Sequence, residues 1–327
     1  MVAMDELERR IRAANPSPVD RDAPLSERAE QELSVLLTTP RASAVAGRVP
    51  RRRPAIIMPT IAAAVAVLLT VGVLNLLAPR PAAASAPPLL EAVPLGEDAD
   101  TVLGRLSTMA RSNNTETSSA AIASETWSAE LTPTGTATFV QPRDVVRTRA
   151  SDLSGSAVTR AGAVRWGIVS GATPPAPGTI LERFDYGPGE FPLLFPKAPP
   201  DSATELQAYL TQYLGLDASA PTGEVFRAIV DLRNEWELTG PQTAAVLELL
   251  RDRPDVAALG TVTDRLGRTG IAVATQTRLD GAFRDLLIFA PGTAQLLSAE
   301  DVYLGGIPDL KLESPTVMNY IAWKDTP

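Results

Sequence analysis

A single uncharged stretch constrains this chain more than any other feature of its sequence. Residues 55–78 read AIIMPTIAAAVAVLLTVGVLNLLA and contain no charged side chain. About 20 consecutive apolar residues suffice for a helix to cross the hydrocarbon core of a bilayer. Pro59 lies in the first turns, where a helix needs few N–H donors, and Asn75 lies near the far end, within reach of the interface. The stretch predicts one transmembrane helix over residues 55–78, with the lipid bilayer as its partner.

The charges that flank this stretch predict its direction. Arginines cluster on its N-terminal side with no acidic residue among them. The residues that determine topology are Arg48, Arg51, Arg52 and Arg53. Only Arg80 follows closely on the other side. Because positively charged segments stay in the cytoplasm, we expect a single-pass protein of the cell membrane, with residues 1–54 cytoplasmic and the C-terminal domain extracellular.

Two other interpretations of the stretch remain open. Small side chains at residues 82–86 offer a site where a signal peptidase could cut. Signal peptides usually begin within about the first 30 residues and have an apolar core of roughly 7–15 residues. Here 54 residues come first and the core is longer. A buried helix of a soluble protein fits less well, because a helix that is apolar all round rarely follows an arginine cluster directly. The sequence favours an anchor.

The cytoplasmic segment predicts two short amphipathic helices. Apolar residues recur at helical spacing on both sides of an interruption that runs from Pro16 to Pro24. They are Met4, Leu7, Ile11 and Ala14 before it, and Leu25, Ala29, Leu33 and Leu36 after it. Isolated helices of this length are marginal in water. Residues 4–37 are therefore either a docking site for a cytoplasmic protein partner or a solvated tether near anionic lipid.

The absence of two residue types removes whole classes of chemistry. The 327-residue chain contains no Cys and no His, which excludes disulfides, Cys/His zinc sites, cysteine nucleophiles and Ser–His–Asp triads. Residues 1–54 carry ten Arg and eight acidic residues, net +2, so the total charge of −8 leaves −10 for the remainder. Because the outer part is acidic, we expect no nucleic-acid partner.

The region after the anchor predicts a stalk and one α+β domain. Residues 79–97 are rich in Pro and Ala, which favours a stiff spacer. From residue 98 the pattern gives one helix, then short strands up to Trp166, then three helices between Ser202 and Leu250, then strands to the end of the chain. This order predicts a single external domain, residues 98–327, in which a curved antiparallel sheet packs on helices.

A loop rich in aromatic residues is the candidate ligand-binding segment. Pro and Gly dominate residues 185–196, which also contain Tyr186, Phe191 and Phe195. These side chains either form a binding loop for a lipid or peptide ligand, or fold under the loop and cover the open edge of the sheet. An apolar cavity of several hundred Å³ would favour a small ligand, whereas a filled interior would favour a protein partner.

Carboxylates are the only acid–base candidates present in quantity. Glu182, Asp185 and Glu190 lie near the aromatic loop, and Asp264 lies in a later hairpin. A hydrolase would need two of them to converge in a cleft. Their scattered spacing is typical of a solvated face, so we expect no catalytic residues, no metal, no cofactor and no enzyme activity. An external carboxylate hydrolase is the alternative.

A resemblance to known proteins rests mainly on residues 240–300. The segments that carry it are Gly240–Leu250, Pro254–Val256, Gly260–Val273 and Leu287–Leu297. Together with Met4–Leu7 they resemble a family of uncharacterised single-pass membrane proteins of actinobacteria. The layout is similar to that of membrane anti-sigma factors, and the external domain resembles the half-barrel of lipoprotein carriers and periplasmic sigma-factor regulators. This chain departs from the family pattern at Ala290 and Ala294, and it lacks the His and Cys of zinc-type anti-sigma factors.

These patterns predict a membrane-anchored binding or signalling protein of the cell envelope with an anti-sigma-factor-like layout. Its external domain would meet a lipid, peptide or envelope partner, while residues 4–37 would dock a cytoplasmic regulator. The alternative is a cell-surface structural or lipid/peptide-binding protein whose inner segment only sets the topology. Shared architecture alone does not decide between them.

Overall fold

The structure is a computed structural model that describes residues 86–113, 121–129, 139–167, 173–307, 310 and 312–325. The described residues all belong to one compact unit. The predicted cytoplasmic segment, the predicted span and residues 79–85 of the predicted stalk lie outside them, whereas residues 86–97 of the stalk are described. Within the described ranges, no helix combines the length and apolar character needed to cross a bilayer.

Four helices and eleven strands are found in the described part of the chain. Helix α1 (Ala99–Ser112) precedes strands β1 (Ala121–Ser128), β2 (Phe139–Val140), β3 (Arg143–Arg149), β4 (Gly155–Ala161), β5 (Trp166–Gly167) and β6 (Ile180–Tyr186). Three helices follow: α2 (Ala203–Leu214), α3 (Thr222–Arg233) and α4 (Gly240–Arg251). The chain ends with β7 (Ala257–Thr263), β8 (Thr269–Thr275), β9 (Phe283–Phe289), β10 (Leu296–Tyr303) and β11 (Thr316–Lys324).

Nine of the strands form one antiparallel sheet in the order β6–β4–β3–β1–β11–β10–β9–β8–β7, and β2 pairs with β5. Most neighbours in this order are close in sequence. The exception is the pair β1–β11, in which Glu125 lies opposite Ala322. This pair joins the strands before the three-helix insertion to those after it. The predicted α+β class, with an antiparallel sheet packed on helices, is confirmed.

Local sequence explains where helices begin and end. The Ser202 hydroxyl accepts a hydrogen bond from the Glu205 N–H (3.3 Å), as its spacing predicts for the start of α2. Helix α2 ends at Gly215, whose φ of +70° suits a residue without a side chain. At α4, Thr239 and Gln242 form a complete capping box, in which each side chain accepts from the backbone N–H of the other.

The helices cover one face of the sheet with large apolar side chains. The sheet contributes Leu287, Phe289 and Trp323, and the helices contribute Leu103, Leu106, Phe226, Ile229 and Leu247, all at most 1% exposed. Burying each such side chain stabilises the fold by roughly 1.5–3 kcal/mol. The helical spacing of Val102, Leu103, Leu106 and Met109 predicts the apolar face of α1. The first three are buried, and Met109 packs against the core while partly buried.

The opposite face of the sheet carries small apolar clusters and buried charges. The apolar members are Ala274, Leu286, Val302 and Val317 in one cluster, and Val262, Ala272 and Ile288 in another. Buried among the strands are the carboxylates of Glu125 and Glu300. Each of them pairs with an arginine, Glu125 with Arg165 and Glu300 with Arg265.

Candidate functional site

Strand β6 is the most exposed strand of the sheet. It lies at one end of the nine-stranded order, and its partner among the described strands is β4. Six of its seven residues are exposed. Its large apolar side chains Ile180, Leu181 and Phe184 are 51%, 37% and 54% exposed. An exposed apolar edge strand is a ready template for pairing with another chain.

Hydrogen bonds at β4 show which backbone groups β6 directs outward. The Ala161 N–H donates to the Thr179 carbonyl (2.9 Å), so the odd-numbered residues of β4 direct their backbone groups toward β6. Ala157 belongs to this set and lies opposite Phe184. Directly opposed residues of an antiparallel pair exchange hydrogen bonds together or not at all. Phe184 therefore directs its N–H and C=O toward β4, and its neighbour Arg183 directs its own toward the free edge.

The side chains of β6 alternate between the two faces of the sheet. Phe184 lies opposite Ala157, and Ala157 lies opposite Arg147. Arg147 lies opposite Ile122, which belongs to the core beneath the helices. Because opposed residues share a face, Phe184 lies on the face that the helices cover, and Arg183 lies on the other.

The free edge also presents two opposite charges. By the same alternation, Arg183 and Asp185 expose backbone N–H and C=O groups there, whereas the register between β6 and β4 shifts at Leu181. Arg183 donates two hydrogen bonds to Asp185, from Nε to Oδ2 (2.8 Å) and from Nη2 to Oδ1 (2.9 Å). These bonds hold the pKa of the Asp185 carboxyl below its ordinary value. Both side chains are more than half exposed, so water competes for this pair and the charges can re-pair with another chain.

The opposite edge of the sheet, strand β7, is bridged at one position by another segment of the chain. The Val93 N–H donates to the Thr261 carbonyl and the Thr261 N–H donates to the Val93 carbonyl, both at 2.8 Å, so β7 is covered by the segment before α1. Gly260 permits this close approach, because a Cβ at its position would lie 2.1 Å from the Val93 oxygen. Within the described residues, β6 is the edge left open.

The three aromatic residues of the predicted ligand loop occupy different environments. Phe195 is fully buried and stacks on Tyr209, with 5.5 Å between ring centroids. Glu235 fixes the loop backbone because it accepts hydrogen bonds from the N–H groups of Phe195 and of the preceding residue, both at 2.8 Å. Tyr186 and Phe191 pack edge to face at 5.0 Å and stay partly exposed. Phe195 thus belongs to the core, and ligand binding by Tyr186 and Phe191 stays a prediction.

An open groove of about 530 Å³ lies where α2 and α3 approach each other. Several of its hydrogen-bonding side chains are already engaged within the chain. Arg253 donates to the Ala220 carbonyl (2.8 Å) and to Gln207 Oε1 (2.9 Å). Asp255 accepts from the Thr222 hydroxyl (2.8 Å). These bonds tie the start of α3 to the end of α4, so Arg253 and Asp255 have a structural role in the groove.

Next to the groove, one arginine holds two carboxylates. Arg278 Nη2 lies 2.5 Å from Asp285 Oδ1 and 3.3 Å from Asp301 Oδ2. Burial raises the pKa of Asp285 to about 6, although Arg278 and its hydrogen bonds favour the ionised form. A Cβ on Gly223 would lie 2.6 Å from Asp285 Oδ2, so the first turn of α3 packs directly on this carboxylate. Asp285 is only 2% exposed, which keeps it away from any substrate at the surface.

The four carboxylates considered as catalytic candidates are not brought together. Glu182, Asp185 and Glu190 lie on or after β6, whereas Asp264 lies between β7 and β8 at the other edge of the sheet. Glu190 accepts a hydrogen bond from the Gly187 N–H (2.8 Å) within its own turn. Asp264 accepts from Arg268 Nη2 at 2.6 Å and from two backbone N–H groups of its turn. Both are explained by local structure.

Strand β6 is absent from the strands that the sequence predicts. Its signal is an alternation of Ile180, Phe184 and Tyr186 between a Pro–Gly turn at residues 177–178 and a Gly–Pro–Gly turn at residues 187–189. The charges of Glu182, Arg183 and Asp185 interrupt that signal because both faces of an edge strand meet water. The edge that carries the candidate site therefore had only a weak signature.

The geometry defines an α+β protein with a nine-stranded antiparallel sheet and one open edge. No family model, no curated protein and no solved structure matches this chain. The resemblance to actinobacterial single-pass proteins, lipoprotein carriers and sigma-factor regulators accordingly stays a prediction.

Proposed function

We propose that this chain is a single-pass membrane protein whose external domain binds an extended polypeptide along the free edge of β6. Residues 55–78 anchor it, and residues 1–54 face the cytoplasm. The observation that carries the proposal is the open edge, where Arg183 and Asp185 present backbone groups. A strand added there gains hydrogen bonds to the backbone and apolar contact with Phe184.

The packing between sheet and helices favours a polypeptide over a lipid as the ligand. A lipid carrier needs an apolar cavity large enough for acyl chains. Here Phe226 of α3, Phe289 of β9 and Trp323 of β11 meet in one core and are at most 1% exposed. Side chains occupy the space between these elements, so binding at the surface is the function that the fold supports best.

In this proposal, anchoring in the membrane strengthens binding at the β6 edge. A single added strand gives modest affinity in solution. Confining the domain and its partner to one membrane raises their effective concentration, which strengthens a weak contact without any new interaction. Residues 4–37 would then contact a cytoplasmic protein and signal to it that the external site is occupied.

The predicted topology is open to a direct cysteine-labelling experiment, because the chain has no native Cys. In intact cells, a membrane-impermeant maleimide is expected to label a Ser151→Cys variant, since Ser151 is exposed on the β3–β4 turn. A Ser43→Cys variant, on the cytoplasmic side of the arginine cluster, is expected to react only after lysis. The reverse pattern, or release of the chain from membranes by alkaline carbonate, would reject the anchored orientation.

Polypeptide binding at β6 is expected to show as site-specific photo-cross-linking in intact cells. A benzophenone amino acid at Leu181 should form adducts with a polypeptide, whereas the same group at Leu279 should not. Leu279 is a matched control because it is 62% exposed but lies on the β8–β9 turn instead of an edge.

The substitution Arg183→Pro separates strand addition from simple proximity. It removes an N–H that points to the free edge and leaves the hydrogen bonds between β6 and β4 in place. Adducts at Leu181 should disappear while the urea unfolding midpoint changes little. Equal adduct yields at Leu181 and Leu279, or adducts that survive Arg183→Pro, would rule out strand addition.

A further inference from the structure

We infer that the polypeptide added to β6 is the β6 strand of a second copy of this chain, paired antiparallel about a two-fold axis at Phe184. This inference rests on the proposed binding at the β6 edge and names its occupant. Two copies joined in this way share one continuous sheet, with the helices of both copies on the same face. The two cytoplasmic segments are thereby brought into one assembly.

The charge pattern of β6 selects both the partner and the register. Only registers centred on Glu182, Arg183 or Phe184 keep more than half of the seven strand residues paired with their copies. A centre at Glu182 places two glutamates opposite each other, and a centre at Arg183 places two arginines opposite each other. Like charges directly opposite are destabilising in a sheet. The register centred on Phe184 avoids both.

The Phe184 register also converts an internal ion pair into two intermolecular ones. In this register Arg183 of each copy lies directly opposite Asp185 of the other, on the face away from the helices. Both residues direct backbone groups to the free edge, so each opposed pair also exchanges two backbone hydrogen bonds. The exposed bond that Arg183 makes to Asp185 within one chain is replaced by bonds across the interface.

Apolar contact between the two copies of Phe184 at the two-fold axis also favours this register. Phe184 points its backbone groups toward β4, so the two copies of Phe184 form a non-hydrogen-bonded pair, whose side chains approach most closely. Each ring is 54% exposed in the single chain. Cross-strand aromatic pairs stabilise antiparallel sheets, and this pair removes the largest exposed ring of the edge from water.

The register predicts which single cysteines form a disulfide in the full-length protein in its membrane. In a non-hydrogen-bonded pair the Cα atoms are about 4.5 Å apart, which permits a disulfide. On mild oxidation, Phe184→Cys should give a species at twice the chain mass of 34.6 kDa. Glu182→Cys should stay monomeric, because residues 182 of the two copies would be separated by four strand positions, roughly 13 Å.

A charge exchange provides a second, independent measurement. In the Phe184→Cys background, Arg183→Asp places aspartates opposite each other, and cross-linking should slow by about tenfold. The further change Asp185→Arg restores opposite charges, and the rate should return. Because these residues are exposed on the edge strand, the variants are expected to fold, and their urea midpoints serve as the control.

The outcomes separate this inference from the proposed function. Disulfides at Glu182→Cys or Arg183→Cys in place of Phe184→Cys would overturn the register. If Phe184→Cys stays monomeric while Leu181 still forms photo-adducts with a different polypeptide, self-pairing is wrong and strand addition stands. If neither cross-link forms, both are wrong.

Discussion

Replacing Arg265 by Met is expected to lower the free energy of unfolding by about 3–5 kcal/mol. Arg265 donates to Glu300 from Nε (2.6 Å) and Nη2 (2.8 Å), and the two side chains are 4% and 1% exposed. Burial raises the pKa of Glu300, and Arg265 is the group that opposes this effect. Without Arg265 the folded state must keep a charge unpaired in the sheet or take up a proton, and either is costly.

Urea unfolding followed by tryptophan fluorescence measures this effect. All four Trp of the chain lie between residues 127 and 323, so the signal of the full-length protein reports on the α+β domain alone. With a urea dependence of roughly 2–3 kcal/mol per molar, the midpoint should fall by about 1–2 M.

Two variants separate charge burial from the loss of any arginine. Arg227 forms an exposed pair with Glu224 at 3.8 Å, so Arg227→Met should cost less than about 1 kcal/mol. The double variant Arg265→Met with Glu300→Leu removes both buried charges and should recover most of the lost stability. If Arg265→Met shifted the urea unfolding midpoint no more than Arg227→Met does, the burial of the Glu300 carboxylate would not require Arg265.

Gly240→Ala is expected to destabilise the domain by about 3 kcal/mol, although alanine ordinarily favours a helix over glycine. A Cβ at Gly240 would lie 2.1 Å from the Asn113 carbonyl oxygen and 2.3 Å from that of Ala110. Both obstacles are backbone atoms at the end of α1, so neither can rotate away. Relief requires α1 and α4 to separate, and these helices pack closely in the core.

Gly104→Ala is the matched control for this substitution. Gly104 also lies in a helix, but its nearest neighbour is the flexible Arg251 guanidinium at an ordinary 3.5 Å. The same urea experiment should show a stability gain of about 0.5–1 kcal/mol there, the usual difference between alanine and glycine in a helix. A gain at Gly240 as well would mean that the close approach of α1 and α4 is wrong.

Features that depend on neighbours in sequence were predictable. Helical periodicity placed Leu103 and Leu106 in the core, and both are buried. The cap at Ser202 follows from spacing alone, because capping involves residues three positions apart. The glycine at residue 267 predicts a hairpin turn between two strands, and its φ of +81° is a conformation that glycine adopts without strain.

The candidate site was less predictable because it depends on which strands become edges. Nothing in the residues around Val93 marks them as the cover of β7, since that contact joins segments far apart in the chain. Strand β6 lacks the regular alternation of a half-buried strand because neither of its faces is covered. Phe195 illustrates the same limit, since its place in the core depends on Tyr209 of α2 and on Glu235.

The sequence by itself determined the α+β class, the antiparallel hairpins, the exclusion of Cys and His chemistry, and the prediction of an anchor over residues 55–78. Periodicity, turn residues and composition are local properties of the chain, so they can be recognised in the sequence without the structure. Tertiary structure alone decided that β1 pairs with β11, that Arg265 reaches Glu300, and that β7 is covered while β6 stays open. Those contacts join distant segments, and they form because burying the helical face of the sheet leaves only certain strands as neighbours.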